Sequence, residues 1–336
     1  MFTTTVKALM THVSPTLDIS AKCRNKITVI GAGTVGTAIA FCLLAQKVTD
    51  ELVLIDQNEE LARGEMLDMQ HATMYLDSPN ITSSTNYEDS KNSRICIITA
   101  GTGPERNKIA LVTRNTEIFK AVIPQVVTYS PNSILLIVTN PVDILTYVAW
   151  KLSDFPPHRV IGSGTILESA RFRYLLAQKL GVSTSSLHAF VIGEQGGNSI
   201  PVWSGVSVSG VRLRDINRDL GTEHDPEDWT DIHRQVVESE SEIERLKSCG
   251  SWGIALSVAR VVKAILCDTK ECFPISTHIK GCRHGVDKDV FLSLPCVLGC
   301  QGVCYIVRQN LNNKEKELLQ QCANEMNELQ KKLMLE

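Results

Sequence analysis

The 336-residue sequence predicts an α/β fold, a Rossmann-type doubly wound parallel sheet followed by an α+β domain. Three observations predict it. Short apolar runs alternate with helical stretches through the first half of the chain. A Gly-x-Gly-x-x-Gly turn joins the first run to the first helix. Beyond about residue 186 the pattern changes to short strands broken by Gly, Ser and Pro.

The apolar runs are 26–30, 51–55, 95–99 and 134–138. Most are continuous rather than alternating, as expected of parallel strands covered on both faces. Helical stretches at 35–46, 59–70 and 109–128 lie between them. A further helix is expected over 167–180, then short strands over 186–215, two helices at 228–247 and 252–266, and strands within 273–308. At the end Leu318, Leu319, Cys322, Met326, Leu329 and Leu333 make one apolar helical stripe. We divide the chain into a disordered-looking N-terminal arm (1–22), a dinucleotide-binding domain (23–162) and a substrate domain (163–336).

The first strand, Lys26 to Ile30, runs straight into Gly31-Ala32-Gly33-Thr34-Val35-Gly36. Gly31 allows the tight turn, Gly33 lets backbone amides approach a pyrophosphate, and Gly36 lets the helix pack close on the strand. The helix N-terminus offers free N–H groups and a positive dipole end to phosphates. The second strand ends in Asp56, twenty residues after Gly36. A carboxylate there accepts from both hydroxyls of an adenosine ribose and repels a 2′-phosphate, which predicts NAD rather than NADP.

A formal net charge of −3 leaves no basic footprint for nucleic acid, and no apolar run approaches the ~20 residues of a transmembrane helix. Eleven scattered cysteines, an odd number, suit buried thiols in a reducing compartment, so a cytoplasmic location is expected. Cys296, Cys300 and Cys304 are evenly spaced but have no histidine near, and no metal is expected. Residues 1–22 lack the pattern of a targeting peptide. The sequon at Asn80 is discounted because the thiols argue against secretion.

Residues 23–334 resemble the L-lactate dehydrogenases of the lactate/malate dehydrogenase superfamily. The likeness is carried by Gly64 to Met66, Asp68 to His71, Tyr129 to Asn132, Thr139 to Lys151 and Arg159 to Gly164. Ser169 to Tyr174, Pro201 to Gly205 and Phe291 to Cys296 complete it. The resemblance implies interconversion of a small 2-keto acid and an L-2-hydroxy acid with NAD, in a homo-oligomer (tetramer or dimer) whose N-terminal arm grips a neighbour. On the cofactor side it matches Gly31, Gly33, Gly36, Asp56, Thr99, Gly101 and Asn140, the last also contacting substrate. It gives Arg171 as the substrate's carboxylate anchor, through a planar fork suited to bidentate binding.

The acid/base positions depart from that family. Gln195 stands where the family motif has histidine, and a carboxamide donates a hydrogen bond without exchanging a proton near pH 7. Glu168 replaces the orienting aspartate, and its expected partner is Arg171, one helical turn on. The mobile loop is short, so either Lys108 or Arg106 falls at the carbonyl-polarising arginine. Gly250 and Ser241 replace a threonine and a tyrosine, and both changes are expected to enlarge the pocket. His188 is expected to be a core histidine. Two functions remain open: an impaired or altered lactate dehydrogenase-like enzyme, and a catalytically silent NAD-binding subunit.

Overall fold

Residues 4–12, 25–103 and 107–333 are described by the computed structural model. A short helix α1 (Thr4–Leu9) and strand β1 (Met10–His12) precede the first apolar run, β2 (Lys26–Ile30), which feeds α2 (Thr34–Ala45). Next come β3 (Glu51–Ile55), α3 (Glu59–His71), β4 (Asn80–Ser84), β5 (Ile95–Ile98), α4 (Lys108–Tyr129), β6 (Ile134–Ile137), α5 (Val142–Ser153) and β7 (Val160–Gly162). The six strands β2 to β7 are parallel, in the order β4-β3-β2-β5-β6-β7. The order reverses between β2 and β5, where open α/β sheets bind ligands. Ile30 pairs with both Ile55 and Ile98. Gly31, Asp56 and Thr99 therefore leave the sheet side by side.

The second half begins with α6 (Ile166–Leu180), β8 (Leu187–His188), β9 (Val191–Gly193), β10 (Ser199–Pro201), β11 (Ser207–Val208) and β12 (Val211–Arg212). It continues with α7 (Leu213–Ile216), α8 (Thr230–Lys247), α9 (Trp252–Leu266), β13 (Cys272–His278), β14 (Phe291–Gly299), β15 (Gly302–Val307) and α10 (Asn313–Gln330). Strands β13, β14 and β15 form an antiparallel meander, and β13 joins β7 at Ser276 and Gly162. The parallel and antiparallel parts are thus one continuous sheet. Most buried apolar side chains form a single cluster over it. A second cluster around Phe172, Trp203 and Trp229 lies under α6 and α8.

The arm departs from its expected disorder: within 1–22, residues 10–12 pair antiparallel with β15 at Tyr305, Ile306 and Val307. Strand β4 was not legible as an apolar run because it is an edge strand with a mixed exposed and buried pattern. Helix α5 was also absent from the sequence reading. Its apolar residues are buried nearly all round, which hides the 3.6-residue stripe.

An added Cβ at Gly36 would lie 1.9 Å from the Gly31 carbonyl oxygen, whereas one at Gly33 meets no heavy atom within 4 Å. Gly36→Ala should therefore lower the thermal unfolding midpoint, at a cost of about 1–3 kcal/mol for overpacking. Gly33→Ala should stay near wild type in the same melt. Equal midpoints for the two variants would contradict this account of the turn.

Candidate active site

The glycine turn is built from backbone geometry. Gly31 has φ +105°, and its N–H donates to the Ile55 carbonyl at 2.8 Å. The Thr99 hydroxyl lies 3.0 Å from the Ile30 carbonyl and 2.9 Å from that of Gly31, so it braces the turn from below. Gly101 packs on Thr139, whose methyl would lie 2.4 Å from an added Cβ. Gly33 caps α2 with no side-chain hydrogen bond to the first-turn amides. Asp56 accepts from the Ala32 N–H at 2.7 Å and the Asn58 N–H at 2.9 Å, which holds its carboxylate at the end of β3. Open backbone at Gly33, uncapped helix amides and a fixed ribose acceptor fit a dinucleotide without a 2′-phosphate. Gly31, Gly36, Thr99 and Gly101 support that cradle; Gly33 and Asp56 face it.

A cavity of about 340 Å³ opens beyond β6 and β7, and Asn140, Glu168, Arg171, Gln195, Glu240 and Gly250 are among its lining residues. Two sets of hydrogen bonds position its walls. Thr165, at the start of α6, donates from its hydroxyl to the Val191 carbonyl at 2.6 Å, and Ser169 accepts from the Val191 N–H at 2.9 Å. These bonds lock the first turn of α6 to β9, and so set Glu168 and Arg171 opposite the segment that follows β9. The Gln195 N–H then donates to buried Asp143 at 2.8 Å. Asn140 is held through its carbonyl, which accepts from Asn115 at 2.8 Å.

The electrostatics of the cavity differ from expectation. Glu168 is 3% exposed. Burial pushes its carboxyl up to about 7; the charge of Glu240 adds to the rise, while Arg171 and a hydrogen bond from Gln195 pull it back. Desolvation thus outweighs the attraction of Arg171 for an ionised Glu168. Among the described residues no ion pair within 4 Å joins Glu168 to Arg171, so the expected partner acts on it as a nearby charge rather than by direct contact. Burial also pushes Asp143 up to about 7 and raises Glu240. The carboxamides of Gln195 and Asn140 both turn to Glu240, at 3.3 Å and 3.5 Å.

Other expectations fare unevenly. Lys108 opens α4, and its ammonium pairs with Glu194, itself bonded to Asn198 at 2.9 Å; Lys108 does not line the cavity among the described residues. Arg106 lies outside the described residues. Gly250 borders the cavity with only Ile243 near an added Cβ, but Ser241 is exposed and bonds back to the Glu238 carbonyl, so it does not enlarge the pocket. His188 is exposed on β8 rather than in the core. Two residues escaped the sequence reading. Asp143 hides inside an apolar helix. Glu240 left a signal, because it continues the apolar stripe of Ile232, Val236 and Ile243 on α8, where an acid is out of place.

Comparison with known proteins agrees with this geometry. Residues 25–162 match the family model described as lactate/malate dehydrogenase, NAD binding domain, and residues 165–335 match lactate/malate dehydrogenase, alpha/beta C-terminal domain. The chain is 48% identical to the L-lactate dehydrogenase A chain of Ambystoma mexicanum, over 94% of this chain and 95% of that one. It is 49% identical to an L-lactate dehydrogenase of Petromyzon marinus, over 92% and 93%. With the A chain of Danio rerio it shares 47% identity over 98% and 99%.

Because Glu168 titrates near 7 when folded, against 4.5 ordinarily, the native state holds its proton where the unfolded chain has lost it. Stability from this group is therefore intact below about pH 4.5 and is lost as pH rises to about 7. Glu168→Gln should flatten the pH dependence of unfolding by roughly 2–3 kcal/mol between pH 4.5 and 8. An unchanged slope in denaturant melts would mean that Glu168 stays ionised in the fold.

Proposed function

The chain belongs to the lactate/malate dehydrogenase family, and on that premise we propose a slow, NAD-dependent oxidoreductase for a small 2-keto acid such as pyruvate and the matching L-2-hydroxy acid. Its N-terminal part is an NAD-binding domain. The observation that carries the reading is one cavity, beyond β6 and β7 and reaching Val35 of the glycine turn, lined by Arg171, Asn140, Gln195 and Glu168. NAD, when bound, supplies or accepts a hydride. Arg171 would bind the substrate carboxylate through its fork. Asn140 and Gln195 would hold the substrate oxygen by hydrogen bonds. Gln195 cannot supply the proton that the forming alkoxide needs, and Glu168, half protonated near pH 7, is the group left to give it.

A second reading, the catalytically silent NAD-binding subunit, is favoured by three contacts: the amides of Gln195 and Asn140 face Glu240, and Lys108 faces Glu194. In either case we propose an arm at 1–22, an NAD-binding domain at 23–162 and a substrate domain at 163–336. We also propose a cytoplasmic homo-oligomer, a tetramer or dimer. The free thiols among the described cysteines support the compartment. Exposed Leu61, Leu67, Met74 and Tyr75 on and after α3 supply apolar surface for a second copy to cover.

Fluorescence titration should give measurable NADH binding and much weaker NADPH binding; equal affinities would remove Asp56 from its assigned role. Pyruvate reduction should run at least ~10²-fold below an intact family site, the usual worth of a positioned general acid. The residual rate should fall as pH rises through about 7, as the Glu168 proton is lost. Gln195→His with Glu168→Asp should recover more rate than the two single changes summed, since residues acting as a unit are non-additive. Ordinary wild-type turnover would mean that another donor works in the cavity. Light scattering of a monomer at micromolar concentration would count against the oligomer.

A further inference from the structure

We propose that this cavity prefers a 2-imino carboxylate, a carboxylate beside a protonated C=N bond, to a 2-keto acid. The inference rests on the NAD-linked reading above and concerns only what the same cavity selects. The cavity carries Arg171, a cation for the ligand's carboxylate, and near it the acceptors Glu168 and Glu240. Glu240 draws the Gln195 amide with one oxygen at 3.3 Å and the Asn140 amide with the other at 3.5 Å. Glu168, 3% exposed, lines the same wall. A keto oxygen beside Glu240 needs donors, and there it competes with that carboxylate for the amide N–H groups of Gln195 and Asn140. An iminium N–H is a donor and a cation, and both Glu240 and Glu168 can accept from it.

Proton bookkeeping points the same way. A keto acid gains a hydride at C2 and becomes an alkoxide, so it must take a proton from the site. A 2-iminium carboxylate already carries its proton. The hydride from reduced NAD forms the new C2–H bond, the C=N π pair becomes the nitrogen lone pair, and the nitrogen's positive charge disappears. Reduced NAD is oxidised, the imine carbon is reduced, and the product is a 2-amino carboxylate with a neutral amine and an anionic carboxylate, whose nitrogen takes its next proton from water. No side chain has to deliver one. The exchange of histidine for Gln195 therefore removes a group that this chemistry does not use.

The charged surroundings are consistent with such a ligand. Arg171 faces Glu168 and Glu240 from α6, and Asp143 acts on Glu168 from α5. Glu244 acts on Glu240 from the same helix, α8. Lys247, exposed at the rim, sits 5.5 Å over the Trp252 ring. Gly250 leaves the wall open enough for a substituent on the imine carbon.

The test uses the purified full chain. With NAD⁺ present, calorimetry should show L-proline, a zwitterion whose ammonium group lies beside its carboxylate, binding at least tenfold more tightly than L-lactate. With NADH, Δ1-pyrroline-2-carboxylate should be reduced faster than pyruvate. Glu240→Gln should weaken L-proline by about 30-fold, the lower end for losing one partner of a hydrogen-bonded charge pair, and should tighten L-lactate. NADH binding accompanied by equal or better use of L-lactate and pyruvate would overturn this proposal alone. A Glu240→Gln variant that keeps the L-proline preference would also overturn it. Absence of NADH binding would overturn the underlying reading, and this one with it.

Discussion

Everything in the site depends on the register of three parallel strands. Because Ile30 pairs with Ile55 on one side and Ile98 on the other, the residues after each strand emerge in one row. A one-residue slip would turn each strand's side chains to the opposite face and carry Asp56 away from the glycine turn. The register is held because all four residues before Gly31 and before Asp56 are buried, so no neighbouring alignment keeps the core intact. Gly36 then brings α2 so close to the turn that only glycine fits. The positive end of that helix is fixed where a pyrophosphate would lie.

The second half of the chain completes the site by continuing the same sheet. The β7–β13 junction at Gly162 and Ser276 has no room for a side chain on the glycine, since an added Cβ would lie 2.4 Å from the Thr146 hydroxyl. Ser293 on β14 accepts from the Thr165 N–H at 3.1 Å and pairs with Gly193 on β9. One serine therefore ties the start of α6 and the end of β9 to the sheet. Arg171, Glu168 and Gln195 are placed by that framework rather than by flexible loops.

What distinguishes this cavity and its surroundings is an accumulation of acids partly or wholly removed from water. Glu168, Glu240 and Asp143 each lie where burial opposes charge, and each carboxyl is raised as a result. Carboxylates so placed keep a proton, share one through a hydrogen bond, or wait for a cation. An apolar or amide side chain would fold there at lower cost. A stability argument alone thus gives no reason for the acids, whereas a ligand that brings positive charge does.

The parts legible in the sequence were those governed by local pattern. Continuous apolar runs marked the parallel strands, the glycine spacing marked the turn, and Asp56 ended its strand at the right distance, because each depends on neighbours along the chain. The replacement of histidine by Gln195 was equally visible. Protonation and partnership were not. Three residues separate Glu168 from Arg171 on one helix, which suggested a pair, but Glu168 turns into a buried wall where desolvation outweighs the arginine. Lys108 matched a substrate position, yet Glu194, remote in sequence, takes its charge. Glu240 interrupts the apolar stripe of α8, but only the packing of that face against the cavity gives it Gln195 and Asn140 as neighbours. Sequence alone determined the fold and the cofactor cradle, which arise from short-range geometry. Tertiary structure decided which acids lose water and which amides face them, because burial and charge pairing depend on segments brought together only by folding.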